Sequence, residues 1–316
     1  MAAPFGMTNT NIYLGFDGGG TKTECVAVDS SGKALGRGAA GPSNALRVSY
    51  ESAITELKLA GAGAVHAADA DHDVVRGVCA GLAGAGSAAM AARIARSLEQ
   101  IWPQANVRVI TDAEAALLAA ASTGPAAVLI AGTGSIAIGR NAKGEVARAG
   151  GYGPWIGDPG SAHDMGRRAV EAAARARDGA GPATSLTPAI SVALQCAAWE
   201  HVIEQVAAGP ESVFPRLFPI VVAAAEAGDP VARNILSHAA LDLSKLVLAV
   251  VGKLGMKDEK FPLARAGGVF GRTLLLDGRL DSLIARVTSR AQVGALSASP
   301  SLAAARLAIQ LVRERK

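Results

Sequence analysis

Apolar residues along the chain fall into two kinds of segment: short runs with the length of buried strands, and longer stretches with helical spacing. In the first 122 residues they predict strands at 12–14, 25–28, 34–40, 74–79 and 107–110, and helices at about 44–60, 88–101 and 113–121. In the remainder they predict strands from 126 onward, a helix at 162–176, a mostly helical region at 180–260, a strand at 261–264 and a last helix from 301 to about 315. Strands alternating with helices predict an α/β protein.

The connection between the first two strands is the most distinctive segment. Residues 15–24 read Gly-Phe-Asp-Gly-Gly-Gly-Thr-Lys-Thr-Glu. Three consecutive glycines allow positive φ angles and bare N–H groups facing an anion, and Thr21 and Thr23 add hydroxyl donors. Asp17 ends the incoming strand, where the Mg²⁺ of a nucleotide needs a carboxylate. The segment predicts a phosphate-binding hairpin, although an ordinary glycine-rich turn has a similar composition.

The second half of the chain repeats the first at an offset of 112 residues. Gly20, Thr21, Thr23, Val26, Gly32, Gly41 and Pro42 fall on Gly132, Thr133, Ser135, Ile138, Gly144, Gly153 and Pro154. Similarity at a fixed offset indicates a duplicated structural unit. It predicts two Gly-Thr hairpins, one in each half, that hold one phosphate chain from both sides.

Two polar residues after predicted strands have alternative roles. Asn44 could cap the following helix or bind a sugar. Asp112 could cap a helix too, or it could lie at the carboxyl edge of the sheet, where α/β folds place ligands.

Two glycine-rich segments of the second half also predict ligand contacts. Residues 150–161 contain five glycines, two aromatic residues and an aspartate, which favours a binding loop over a linker. Gly267 and Gly268 follow the strand at 261–264 and permit close backbone approach to a flat group such as adenine.

Composition narrows the function class. The net charge is +4, but the 31 Lys and Arg residues are scattered except for a basic end formed by Arg313, Arg315 and Lys316. Nucleic-acid binding would need a basic stripe with stacking aromatic residues, so we expect none. Mean hydropathy is +0.28, yet no apolar stretch approaches the ~18 residues of a membrane span, and the first eleven residues do not read as a signal peptide. We expect a cytoplasmic protein.

Metal and disulfide chemistry based on cysteine or histidine is not predicted. Cys25, Cys79 and Cys196 are isolated, which argues against a disulfide framework and a thiolate zinc site. The five histidines show no metal-binding spacing.

Taken together, these motifs resemble the N-acetylglucosamine kinases, within the group of sugar kinases and ATPases related to the activators of benzoyl-CoA reductase. That group belongs to the actin, hexokinase and Hsp70 superfamily. Residues 17–23 are similar to its first phosphate motif, 132–135 to its second, and 266–270 to its adenosine motif. The chain departs from the family at Tyr152, where animal members have Trp, at Ile136, which replaces a polar residue, and in the turn at 81–87, which lacks acidic residues.

The resemblance implies a role for each matching residue. Asp112 would be the catalytic base, and Asp17 would hold Mg²⁺ by way of a water molecule. Nucleotide contacts are implied for the glycine-rich and basic positions, namely Gly18, Gly19, Gly20, Thr21, Lys22, Thr133, Gly267, Gly268 and Arg272. Sugar contacts are implied for Asn44, Asp112, Ser135, Gly151, Tyr152, Gly153 and Asp158.

The implied fold is α/β, with two ribonuclease-H-like domains of the actin-like ATPase type facing a central cleft. We expect the domains at 1–122 plus 300–316 and at 123–299. The implied reaction is ATP- and Mg²⁺-dependent phosphorylation of an amino sugar at the 6-hydroxyl, with N-acetylglucosamine favoured over glucosamine, in a homodimer. A reductase activator with an iron–sulfur cluster and a non-enzymatic actin-like ATPase are the more distant alternatives.

Overall fold

The structure is a computed structural model and describes residues 10–314. The chain divides into two compact units. The first unit runs to Thr123 and resumes at Leu296, and the second unit comprises Gly124–Ala295.

The elements of the first unit up to its interruption are β1 (Ile12–Gly18), β2 (Thr23–Val28), β3 (Ala34–Ala40), α1 (Tyr50–Ala67), a short 3₁₀ turn (His72–Val74), β4 (Val75–Leu82), α2 (Ala88–Ile101), β5 (Asn106–Thr111) and α3 (Asp112–Ala120). The second unit contains β6 (Ala126–Ala131), β7 (Ser135–Arg140), β8 (Val146–Gly150), α4 (Ala162–Arg177), α5 (Leu186–Ala193), α6 (Trp199–Ala208), α7 (Pro210–Arg216), α8 (Phe218–Glu226), α9 (Pro230–Lys253), β9 (Phe261–Ala266), α10 (Leu274–Ala285) and β10 (Ala291–Ala295). Helix α11 (Pro300–Arg313) returns to the first unit.

Each unit is built on a five-stranded sheet of the same topology. The strand orders are β3-β2-β1-β4-β5 and β8-β7-β6-β9-β10. In both sheets the first three strands form an antiparallel meander and the last two run parallel to the first. The predicted α/β class with two ribonuclease-H-like domains is confirmed.

The first sheet is covered on both faces. On one face Phe16 and Leu57 are fully buried with Trp102, whose ring centroid lies 5.7 Å from that of Phe16. On the other face α11 packs directly on β1, where a Cβ at Gly15 would lie 2.1 Å from the Ala305 nitrogen. Only glycine permits this close approach, so Gly15 is needed for α11 to pack against β1.

The second unit has a larger helical cover. Helix α9 lies in its core with α8 and α10, and Leu243 and Val247 are buried there. Within residues 10–314, α9 is the helix that is long and apolar enough to pass as a membrane span, with a mean hydropathy of 1.6. Half of that window is buried inside the unit, and Asp242 pairs with Arg168 at 2.7 Å. These are the properties of a core helix.

Two sequence expectations about elements were wrong, and two elements were missed. Asn44 does not cap α1, because Ser49 accepts a hydrogen bond from the Ser52 N–H and the helix begins at Tyr50. That helix continues to Ala67 instead of ending near residue 60. Helix α10 and strand β10 were not predicted, since β10 is an exposed edge strand without an apolar run. Of the basic end, Arg315 and Lys316 lie outside the described residues.

Candidate active site

The first hairpin joins β1 to β2 through a four-residue loop. Gly18 pairs with Thr23, and the Gly19 N–H donates to the Lys22 carbonyl at 3.0 Å. None of the three glycines has a positive φ, so the expected left-handed backbone was wrong. A Cβ at Gly19 would meet no atom closer than 3.9 Å, so there is open space beside its Cα.

A segment that we call the strap, residues 41–48, is hydrogen-bonded to this hairpin. The Ser43 and Asn44 N–H groups both donate to the Gly19 carbonyl, at 3.0 and 3.1 Å. The Thr23 hydroxyl donates to the Gly41 carbonyl at 2.7 Å and lies in hydrogen-bond contact with the Ser43 hydroxyl at 2.8 Å. Because Thr23 is fully buried and committed to the strap, the prediction that it donates to a phosphate was wrong. Thr21 is exposed.

The charged residues of the first hairpin are paired with each other. The Lys22 ammonium lies 2.5 Å from Glu24, and this contact raises the pKa of Lys22. The Lys22 side chain is 71% exposed, so a phosphate would compete with Glu24 for its ammonium.

Two carboxylates lie at the carboxyl ends of β1 and β5, with β4 between these strands. Burial raises the pKa of Asp17 to about 6, and the charges of Asp112 and Glu24 contribute further. Burial also raises the pKa of Asp112, against the lowering effect of backbone N–H donors at the start of α3. Both carboxylates are therefore poorly solvated anions, which suits a group that accepts a proton or meets a cation.

Asp112 is not the cap of α3, so that alternative was wrong. The cap is Thr111, whose hydroxyl accepts from the Glu114 N–H at 3.1 Å. The Glu114 carboxylate accepts in return from the Thr111 N–H and hydroxyl, both at 2.8 Å. This capping box leaves the Asp112 side chain without a capping duty.

The second hairpin has a three-residue loop in place of four. Ala131 pairs with Ser135, and the Gly132 N–H donates to the Gly134 carbonyl at 2.9 Å. The Gly132 carbonyl accepts from Ala162, as the Gly19 carbonyl accepts from the strap. Residues of β6 therefore correspond to residues of β1 that lie 113 positions earlier in the sequence. After the loop, corresponding residues of the two hairpins are 112 positions apart.

Several predicted sugar-contacting residues meet around this second hairpin. The Ser135 hydroxyl donates to the Pro159 carbonyl at 2.9 Å, and its own carbonyl accepts from the Gly151 N–H at 2.9 Å. The buried Asp158 has a φ of 60°, and a Cβ at Gly134 would lie 2.6 Å from its carboxylate. A glycine at 134 therefore makes room for Asp158.

The rest of the loop at 150–161 is exposed. Tyr152 is 57% accessible, Trp155 75% and Ile156 80%. Gly153 has a φ of 88°. The Trp155 indole N–H donates to Glu211 at 3.1 Å, which holds this part of the loop against α7.

A cavity of about 550 Å³ in the second unit contains the predicted nucleotide residues Gly132, Thr133, Gly268 and Arg272. Gly267, with a φ of 102°, lies directly against the Ala131 carbonyl and sets Gly268 beside the hairpin. The Arg272 guanidinium donates to the Gly268 carbonyl at 3.2 Å.

The opposite wall of this cavity was not predicted from sequence. It is formed by α7 and α8, with Pro215, Phe218, Pro219, Val222 and Glu226. An apolar slot ending in one carboxylate fits a purine ring with a polar edge. The residues belong to an ordinary-looking apolar helical region, and the only signal was the pair of prolines at 215 and 219.

A larger opening of about 750 Å³ lies between α4 and α9 and contains none of the predicted residues. Its arginines Arg167 and Arg168 are already paired with carboxylates on α4 and α9. The second hairpin and the Gly267-Gly268 turn meet at the smaller cavity instead.

Comparisons with known proteins agree with this architecture. A family model described as the BadF/BadG/BcrA/BcrD ATPase family matches residues 14–295. An N-acetyl-D-glucosamine kinase from Dictyostelium discoideum is 33% identical over 313 residues, covering 94% of this chain and 98% of that protein. An N-acetylmuramic acid/N-acetylglucosamine kinase from Clostridium acetobutylicum is 33% identical over 261 residues, covering 81% and 84%.

A glucosamine kinase from Vibrio cholerae is 29% identical over 244 residues, covering 76% of this chain and 80% of that protein. Among solved structures, one from Chromobacterium violaceum assigned as an N-acetylglucosamine kinase superposes with a TM-score of 0.72 at 24% identity, covering 96% and 99%. That structure supports the fold, and the match across residues 14–295 establishes the family. The chain belongs to the BadF/BadG/BcrA/BcrD ATPase family.

Proposed function

We propose that this protein is an ATP-dependent kinase that phosphorylates N-acetylglucosamine at its 6-hydroxyl. The observation that carries the proposal is Asp112, a half-buried carboxylate with a pKa raised by burial and no role in capping, in the same unit as the first hairpin. The curated relatives named as amino-sugar kinases support the class of substrate.

In this proposal Asp112 accepts the proton of the attacking sugar hydroxyl. A general base works best when its pKa lies toward the working pH, and burial moves the pKa of Asp112 in that direction. Phosphoryl transfer otherwise depends on positioning and on charge stabilisation, because the transition state is loose.

The nucleotide contacts are divided between the two hairpins. The exposed hydroxyls of Thr21 and Thr133 donate to phosphate oxygens. Gly268 and Arg272 line the cavity of about 550 Å³ that we propose for the adenine base. Gly18, Gly20 and Lys22 complete the first hairpin, and Gly267 supports the second.

Magnesium is implied by ATP, and Asp17 is its proposed protein contact. Among residues 10–314 no group of three or more His, Cys, Asp or Glu side chains could hold a metal ion. A single buried carboxylate with a pKa near 6 fits an ion held mainly by nucleotide phosphates and water. When bound, Mg²⁺ would neutralise charge on the transferred phosphate.

The sugar would contact Asn44, Ser135, Gly151, Tyr152, Gly153 and Asp158. An acetamido group needs an apolar surface and one amide partner, whereas an amine needs a spare carboxylate. Glu114 lies close to Asp112 in sequence and could serve as such a carboxylate, but it is committed to the cap of α3. The exposed Tyr152, Trp155 and Ile156 supply apolar surface. The arrangement therefore favours N-acetylglucosamine, with glucosamine as the second candidate.

A reductase activator with a cysteine-bound cluster fits the chain less well. Cys25 and Cys79 are buried within the first sheet. Burial raises the pKa of Cys79 to about 12 and that of Cys25 well above its ordinary value, so neither thiol is available as a surface thiolate.

The test is a coupled ADP-release assay with N-acetylglucosamine, glucosamine, N-acetylmannosamine, N-acetylmuramic acid and glucose. We expect the highest kcat/KM with N-acetylglucosamine and no turnover with its 6-deoxy analogue. A higher kcat/KM with glucosamine would make glucosamine the substrate in place of N-acetylglucosamine. Turnover of the 6-deoxy analogue would mean that a hydroxyl other than the 6-hydroxyl is phosphorylated.

The remaining expectations also stand as proposals. We place the protein in the cytoplasm as a homodimer that binds neither nucleic acid nor membrane, and we place its domain limits at 1–122 plus 300–316 and at 123–299. Light scattering coupled to size exclusion would test the dimer, with a monomer mass as the contradicting result.

A further inference from the structure

We propose that Arg47 binds the terminal phosphate of the nucleotide and stabilises it during transfer. The inference rests on the proposed function, because it assumes that a phosphate lies at the first hairpin. It adds a residue that the sequence motifs do not contain.

Arg47 lies against the glycine loop of the first hairpin. A Cβ at Gly20 would be 3.2 Å from Arg47 Cδ and 3.3 Å from its Nη1, and the three nearest atoms all belong to this side chain. The guanidinium therefore lies against the loop that is proposed to hold the phosphate.

The strap fixes the position of Arg47. Its N–H donates to the Asn44 carbonyl at 2.8 Å, and the Asn44 N–H donates to the Gly19 carbonyl at 3.1 Å. The backbone from the hairpin to Arg47 is thus connected by two successive hydrogen bonds, while the side chain itself is exposed.

Arg47 also carries the unneutralised positive charge near this loop. Lys22 is paired with Glu24, and Asp17 adds a negative charge at the end of β1. Within the described residues, the Arg47 guanidinium has no carboxylate within ion-pair distance. A phosphate bound here would meet the planar fork of donors that guanidinium groups offer to phosphates.

The identity of the phosphate follows from what lies on each side of Arg47. Gly20 belongs to the proposed nucleotide loop, and Asn44, in the same strap, to the proposed sugar site. The phosphate that passes between nucleotide and sugar is the terminal one, so a cation held between both sites faces that group.

The test compares magnesium complexes of AMPPNP and ADP by calorimetry for the wild type and for Arg47→Ala, Arg47→Gln and Arg47→Lys. We expect the alanine and glutamine variants to weaken AMPPNP binding by about 10- to 100-fold, the range for a lost charged hydrogen bond. ADP should change by less than about 3-fold, and lysine should be intermediate because it keeps the charge without the fork.

The matched control is Arg37→Ala, which removes an exposed arginine of β3 in the same unit. It should leave both affinities within about twofold. Equal losses for AMPPNP and ADP, or no loss for either, would overturn the proposal. If the wild type phosphorylates no amino sugar, the proposed function fails, and the AMPPNP–ADP difference still decides the role of Arg47.

Discussion

Asp17 and Glu24 face each other across the first hairpin, one pair back from its loop, and the equivalent pair in the second hairpin is Ile130 and Ile136. Both hairpins keep the same carbonyl, that of Gly19 or Gly132, as an acceptor for a later segment. The two hairpins therefore share a backbone arrangement, but the charged pair is present in the first hairpin and is replaced by two isoleucines in the second. A charged pair at this position is therefore a property of the first unit.

The largest effect should come from Asp112, at the carboxyl edge of the first sheet. We expect Asp112→Asn to lower kcat by about 10²- to 10⁴-fold, because a general base is lost, while the dissociation constant for sugar stays within a few-fold. Steady-state kinetics and calorimetry measure the two quantities. The fold should persist because Thr111 and Glu114 cap α3. Turnover near the wild-type rate would remove Asp112 from the chemistry, and Asp71→Asn in an exposed loop is the control.

The buried charge of Asp17 predicts a pH-dependent stability. Its folded pKa is about 6 against an ordinary value of 3.8, so its ionisation costs stability. That cost is absent below about pH 4, grows up to about pH 6 and is constant above. Asp17→Asn should therefore raise the free energy of unfolding, relative to wild type, by up to about 3 kcal/mol more at pH 8 than at pH 4.

Urea titrations of both proteins at the two pH values measure this difference. Asp29→Asn is a control of opposite sign, because hydrogen bonds from Ser31 lower the pKa of Asp29 and this variant should lose stability at the higher pH. A difference for Asp17→Asn that does not change with pH would mean that its carboxylate is well solvated.

Substitutions of the hairpin threonines should distinguish residues that bind ATP from residues that stabilise the fold. We expect Thr133→Val and Thr21→Val each to raise the KM for ATP by about 3- to 10-fold with an unchanged unfolding free energy, because both hydroxyls are exposed. Thr23→Val should instead cost about 1–2 kcal/mol of stability, since its buried hydroxyl donates to the strap. Kinetics and urea titration of all three variants provide the comparison. Loss of stability in Thr133→Val would show a structural role.

The smallest effect should come from Glu114. Glu114→Gln keeps an acceptor for the cap, so we expect a stability loss below about 1 kcal/mol and an unchanged ratio of kcat/KM between N-acetylglucosamine and glucosamine. A substrate comparison on purified variant and wild type measures the ratio. Selective loss of glucosamine turnover would identify Glu114 as the partner of the amine.

Much of the sheet structure could be predicted because short apolar runs and glycine turns are local signals. The meanders at β1–β3 and β6–β8 were both found in this way. The offset between β1 and β6 was not predicted correctly. The first loop has one extra residue, so β1 and β6 correspond at an offset of 113 instead of 112, and a single fixed offset cannot describe both sides of the loop.

The site was only partly predictable, since its remaining properties depend on tertiary contacts. Thr23 looks like Thr21 in sequence, and only the fold buries one and exposes the other. Arg47 and the α7–α8 wall carry no motif, and they approach the glycine turns through packing between segments distant in sequence.

The return of α11 to the first sheet has a consequence for synthesis of the chain. Residues from Ser301 to Ala305 pack against β1 at Gly15, so the first unit cannot complete its core when its first 123 residues leave the ribosome. Translation of Gly124–Ala295 intervenes, which takes roughly 10–30 s at about 5–20 residues per second. The second unit can therefore fold before the first, and the nascent face of β1 needs protection during that interval.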